Sequence, residues 1–216
     1  MLLSLCPPGA EIATLAYGST RTTDARHGAE AVLVEPGGTS YRGTGLVYPT
    51  YLYPSRLVTF PADALGAPAG VIIDEMPLVR ESLRRALGLG TGVTGERNVP
   101  GANRRGRLVE LVPVVVEEWE VRYALVVTAP RYSRTGFQQT VVPLLPDECE
   151  PRPLDVIISP SSALAHVHPP LLHTLLAATM VATVHQPSSV LRYLDIIVEP
   201  ELMGQVESAL ILHFGL

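Results

Sequence analysis

The sequence predicts a mainly β (α+β) chain made of two tandem small barrels, each closed by a C-terminal helix. Three observations carry this. Short runs rich in Val, Ile and Leu recur, bounded by Pro or polar turns. The stretch "LVRESLRRALGLG" (78–90) reads like a chain end, yet the sequence continues to a second such end, "QVESALILHFGL". Between them residues 90–106, "GTGVTGERNVPGANRRG", have the composition of a linker and no strand or helix period.

Taken in order, the first half is expected to place strands at "LLSLC" (2–6), "EIATLAYG" (11–18), "AEAVLVEP" (29–36) and "GLVYPTYL" (45–52). A helix follows at about 76–88 and exits through Gly88–Gly90. The second half repeats the scheme with strands at 107–116, 121–129, 139–145 and 154–160. "PRYSRTG" (130–136) is a turn, and a last helix covers about 203–213. Short strands with a terminal helix read as a small barrel closed by that helix. Pro49 and Pro143 belong at edges or bulges, because proline cannot donate to a ladder.

The two tails align on their final Gly-Leu pairs. "MPLVRESLRRALGL" (76–89) faces "MGQVESALILHFGL" (203–216), with Val79 opposite Val206 and Leu83 opposite Leu210. The shared apolar positions fall three and four apart, on one helix face. Upstream, "YPSRLV" (53–58) faces "QPSSVL" (186–191). Two matches in the same order make duplication the better account of the chain. The halves are then residues 1–90 and 106–216, with 91–105 as the connection.

Composition sets the outer bounds. The chain has 216 residues, 47% hydrophobic and 17% charged, which is enough apolar surface to offset chain entropy. A formal net charge of -5 means that any nucleic-acid contact needs a local basic patch. All 16 basic residues are arginine, which reads as genome composition more readily than as a set of phosphate forks. Cys6 and Cys149 are isolated, and no leader-like segment opens the chain. The longest apolar run, "LLHTLLAATMVATV" (171–184), is too short for a membrane span and reads as a buried segment. A reduced, cytoplasmic, non-membrane protein is expected.

Several residues invite a functional reading beside a plainer one. "HVHPPLLH" gathers His166, His168 and His173, but no Cys, Asp or Glu completes a metal site there. Packing and loop roles are favoured, and neither metal nor cofactor is expected. Asp24, Arg26 and His27 fit an exposed turn better than an acid–base pair. Trp119 can stack a base, but Glu117, Glu118 and Glu120 repel phosphate, which favours packing. Arg97, Arg104, Arg105 and Arg107 form a basic cluster best read as a solvated linker.

The second half, "GRLVELVPVVVEEWEVRYALVVTAPRYSRTGFQQTVVPLLP", resembles the opening of MazF/PemK toxins. That opening has a strand, a loop ending in R-P before a "VLVV" strand, a turn with N/R-x-x-G, and a "VVPLT" strand. Both helical tails resemble the family's close, a strand ending in Q-I-R followed by a helix ending in A-L-x-x-x-L-G-L. The first half matches without its first strand.

The resemblance implies an SH3-like barrel of the CcdB/PemK type, in a family of homodimeric toxins that cut single-stranded RNA without metal. A tandem copy would be an intrachain pseudo-dimer, with room for further self-association. The family's phosphorane-stabilising Arg falls on Arg122, followed by Tyr123 instead of Pro. Its assisting Thr falls on Leu145, which cannot hydrogen-bond. In the first half Ser19 and Thr20 stand at the matching strand end, and the Arg of Q-I-R falls on Arg56. The implied site is therefore Arg122 with Ser19 or Thr20 as catalytic groups, and Arg56, Arg131 and Arg134 as RNA contacts. Two readings stay open. One is a sequence-selective endoribonuclease toxin with a protein antitoxin. The other is a degenerate pseudo-dimer that binds a partner or RNA without cutting.

Overall fold

A computed structural model describes residues 12–20, 31–36, 43–67, 70–90, 104–116, 119–129, 138–167, 172–185 and 188–216. Its strands are β1 (Ile12–Ser19), β2 (Val32–Val34), β3 (Thr50–Pro61), β4 (Arg107–Val116), β5 (Trp119–Val126), β6 (Gln138–Pro146), β7 (Val156–Ile157), β8 (His173–Leu176), β9 (Ala182–His185) and β10 (Val190–Ile197). Helix α1 (Met76–Leu87) lies between β3 and β4, and α2 (Pro200–Phe214) ends the chain. The described fold is mainly β with two helices. All strand pairs are antiparallel, in a three-stranded sheet ordered β1-β3-β2 and a seven-stranded sheet ordered β10-β4-β5-β6-β8-β7, with β9 also on β6.

Several boundaries differ from the sequence expectation. The strand expected at 45–52 runs instead over Thr50–Pro61. Gly45 takes a positive φ of 67° and Pro49 follows, so the chain turns before it can extend. The strand expected at 154–160 shrinks to Val156–Ile157, because Leu154 turns left-handed at φ 74°. The buried run 171–184 divides into β8 and β9 around a 3-10 turn at Ala178–Met180. The segment 2–6 lies outside the described residues.

Pro143 sits inside β6, opposite Ala124 of β5. Its carbonyl accepts from Ala177 N at 3.0 Å, so its nitrogen faces that same side. There the partner of β6 changes from β9, last paired at Val141, to β8, first paired at Leu144. The missing N–H thus falls in a gap between two partners and costs no ladder bond.

β3 carries a comparable break. Ala16 pairs with Leu57, but Tyr17 pairs with Tyr53, leaving Pro54, Ser55 and Arg56 as a bulge. The aligned segment of the second half, 187–189, falls in sequence between β9 and β10. The bulge meets β9 across the two sheets. Thr183 Oγ1 donates to Ser55 O at 3.1 Å and accepts from Leu57 N at 2.8 Å. Thr59 Oγ1 donates to Val181 O at 2.7 Å.

The helices share one burial pattern. α1 buries Val79, Ser82, Leu83, Ala86 and Leu87, and α2 buries the aligned Val206, Ala209, Leu210, His213 and Phe214. Both end on a left-handed glycine, Gly88 at φ 63° and Gly215 at φ 62°. The next residue closes each cap: Leu89 N donates to Arg84 O at 2.8 Å and Leu216 N to Ile211 O at 3.0 Å. The carboxyl end of each helix touches the other half. Ala129 N donates to Ala86 O at 2.8 Å, and His213 reaches Thr14 on β1. One core joins the halves, with Leu57, Val79, Leu83 and Leu87 in the same cluster as Leu108, Leu125, Leu210 and Phe214.

The arginines expected on a solvated linker are in part structural. Arg105, only 13% exposed at its side chain, donates to Leu87 O and Val127 O and pairs with Glu207 at 2.7 Å. It neutralises the carbonyl end of α1 while tying it to α2. Arg104 lies over the Tyr193 ring at 4.2 Å and donates to its hydroxyl at 2.6 Å. Arg107 pairs with Asp195 at 3.5 Å. These partners come from distant strands and helices, which the local composition of 90–106 cannot reveal. Arg97 lies outside the described residues.

Candidate functional site

β4 and β5 extend beyond the edge strand as a two-stranded ribbon. β10 pairs with β4 only as far as Leu111, whereas β4 and β5 stay paired out to Val116 and Trp119. Alternation along β5 buries Val121 and Tyr123 and turns Glu120 and Arg122 to the other face. Arg122 Nη2 lies 3.2 Å from Glu120 Oε1, with the two side chains 38% and 58% exposed. A guanidinium and a carboxylate thus stand side by side in reach of solvent. Glu120, set aside in the sequence as repelling phosphate, is the ion-pair partner of the arginine. The i, i+2 spacing on a strand was the signal for it.

Leu145 is 3% exposed and packs with Val109, Ala124 and Leu175. The position where the family resemblance implies a hydroxyl is therefore core. Ser19 ends β1 opposite Tyr51, and Thr20 follows it, exposed. Arg56, in the β3 bulge, lies over two rings of the same strand pair, 4.7 Å from the Tyr53 centroid and 5.6 Å from that of Tyr17. Ser19, Thr20 and Arg56 therefore share one region.

Arg122 stands elsewhere. The β5–β6 pairing runs from Val126↔Val141 to Ala124↔Pro143, and Arg122 lies two residues beyond that end, on the side of Leu145. β9, which carries the seam to β3, joins β6 at Gln138–Val141. That interval is about 13 Å of strand. Among the described residues, no hydrogen bond or ion pair joins Arg122 to Ser19, Thr20 or Arg56. Arg131 and Arg134 lie outside the described residues.

The remaining candidates are accounted for locally. His166 Nε2 lies 2.7 Å from Pro160 O, and buried His173 meets Tyr123 edge-on at 5.8 Å between centroids. His168, like Asp24, Arg26 and His27, lies outside the described residues. Among the described residues no group of His, Cys, Asp and Glu is placed to hold a metal ion. Trp119 is half-buried against the cluster containing Val109 and Val121. Cys149 is a buried thiol. No described helix is long and apolar enough to cross a membrane.

No protein-family model matches the chain, and no curated protein does. Solved structures do. An endoribonuclease in complex with its cognate antitoxin, from Mycobacterial species, is 22% identical over 54% of this chain and 96% of its own, with a TM-score of 0.37. A second endoribonuclease from Mycobacterial species is 22% identical over 53% of this chain and 93% of its own, at 0.40. A MazE–MazF structure from Deinococcus radiodurans is 16% identical over 53% of this chain and 98% of its own, also at 0.40. These solved structures, endoribonucleases and MazF, match about half of this chain's length.

Proposed function

We propose that the chain is a MazF/PemK-type, metal-free, sequence-selective endoribonuclease acting on single-stranded RNA. The Arg122–Glu120 pair carries this reading. Cleavage by the RNA's own 2′-hydroxyl needs a donor for the charge that develops on phosphorus and an acceptor for the hydroxyl proton. Arg122 serves as the donor to the non-bridging oxygens. The Glu120 carboxylate, beside Arg122, takes the 2′-hydroxyl proton. The 2′-oxygen–phosphorus bond forms as the 5′-oxygen–phosphorus bond breaks, and the leaving 5′-oxygen takes a proton from Glu120 or water. Arg56, Ser19 and Thr20 form a separate patch for the strand away from the scissile phosphate. Arg131 and Arg134 belong to the same set of RNA contacts.

The same reading includes two PemK-like halves, 1–90 and 106–216, closed as SH3-like barrels and paired as an intrachain pseudo-dimer. The matched burial of α1 and α2, their twin glycine caps and their reciprocal reach support it. A protein antitoxin is the partner it implies, and the cytoplasm the compartment.

The test is incubation of the purified chain with long unstructured RNA in EDTA. Fragments ending in 2′,3′-cyclic phosphate are expected, with a rate about a hundredfold lower for Arg122→Ala. Intact RNA at high protein concentration would overturn the reading. Buried Leu145 favours a second reading, a pseudo-dimer that binds RNA or a protein without cutting. Binding without fragments would establish it.

A further inference from the structure

We propose that Tyr17, backed by Arg56, is a stacking platform for an unpaired RNA base; this rests on the single-stranded RNA reading above. Tyr17 is 47% exposed on an edge strand, whereas its cross-strand partner Tyr53 is 1% exposed. The two centroids lie 6.0 Å apart at an interplanar angle of 35°, and the Arg56 guanidinium covers both rings. Tyr53 and Arg56 thereby flank Tyr17, which stays half-exposed.

The chemistry selects the ligand. Every base offers a π-face, and aromatic rings beside arginine bind single strands by stacking plus charge. The guanidinium lying over the two rings adds a positive charge beside the stacked base. The platform stands on the β3 bulge, the kind of irregularity that re-aims side chains at binding sites. Ser19 lies two residues along β1 on the same face. The aligned position of Arg56 in the second half is Ser189, so the platform belongs to one half only. A strand crossing the molecule would then be read with a fixed polarity.

The experiment uses the full chain and a fluorescein-labelled, 2′-O-methyl oligonucleotide of mixed sequence, which cannot be cleaved through its 2′-oxygen. A second version carries 2-aminopurine, whose emission is quenched by stacking. Tyr17→Leu is expected to weaken binding about tenfold and abolish the quench, whereas Tyr17→Phe retains both, because stacking needs the ring and not the hydroxyl. If the chain binds and cleaves RNA but Tyr17→Leu changes neither affinity nor quench, the platform is overturned and the nuclease reading stands. If the chain binds with a quench that Tyr17→Leu removes, yet never cleaves, the platform stands and the nuclease reading falls. A chain that neither binds nor cleaves overturns both, and points to a protein on this face.

Discussion

His213 Nε2, near the end of α2, lies 3.0 Å from the Oγ1 of Thr14 on β1, across 199 residues of sequence. Thr59 uses its proton on Val181 O, so in the 3.3 Å contact between Thr14 and Thr59 it is Thr14 that donates. The Thr14 hydroxyl and the His213 imidazole thus meet as a buried polar pair that joins α2 to β1. The ring is 6% exposed and meets Phe214 edge-on at 4.7 Å between centroids. Burial lowers its pKa from 6.5 to about 4.

This sets a pH dependence. Between about pH 6.5 and 4 the unfolded chain binds a proton that the folded chain does not, so His213 makes stability fall as pH falls through that window. The contribution at stake is about 3 kcal/mol. Denaturant midpoints at pH 7 and pH 4 should converge for His213→Leu relative to the parent. An unchanged pH slope would place the imidazole in water.

Arg105 is expected to dominate the join between α1 and the second half. Arg105→Met should cost about 3 kcal/mol, because Leu87 O, Val127 O and Glu207 lose their donor while still partly buried. Most of that loss should vanish in a Glu207→Gln background if the ion pair is its main part, and persist if the two carbonyls are. A double-mutant cycle by chemical denaturation measures the split.

At Gly70 an added Cβ would lie 1.7 Å from Gly43 O, the acceptor of the 3.0 Å bond from Val71 N. Gly70→Ala must therefore displace that turn, at a cost of about 2 kcal/mol. Gly66, where a Cβ meets nothing within 4 Å, is the control, and Gly66→Ala should leave the melting temperature unchanged or raise it. Equal melting temperatures for the two variants would contradict the close approach.

Glu120 and Arg122 separate by their opposite effects. Glu120→Gln frees the guanidinium, so affinity for uncleavable RNA should rise a few-fold while cleavage slows. Arg122→Ala should lower both. Parallel losses in the two variants would mean that the pair serves the ribbon and not the RNA.

Much of this fold was legible along the chain. The period-3.6 tails located α1 and α2 to within three residues at each boundary, since amphipathic spacing and the glycine exit are local properties. Strand existence was legible for the same reason. Strand extent was not, because Gly45 and Leu154 turn the chain left-handed within apolar runs. Arg105 was the largest miss. Its partners, Leu87 O, Val127 O and Glu207, converge only after the chain has folded. Candidate residues were legible as types, but their grouping was not. It took the register of β5 on β6 to separate Arg122 from Arg56, and the β3 bulge to bring Arg56 over Tyr17.

The reciprocal reach of the two helices has a consequence for biosynthesis. A ribosome releases α1 well before it has made Glu207. At about 5–20 residues per second, Leu87 and Leu89 wait several seconds for the groups that cover the end of that helix. During that interval the nascent first half carries an apolar helix end with no resident cover. Nascent chains stalled near residue 160, with α1 clear of the ribosome and Glu207 not yet made, should therefore be captured by chaperones or aggregate, and release should come only with the last turn of α2.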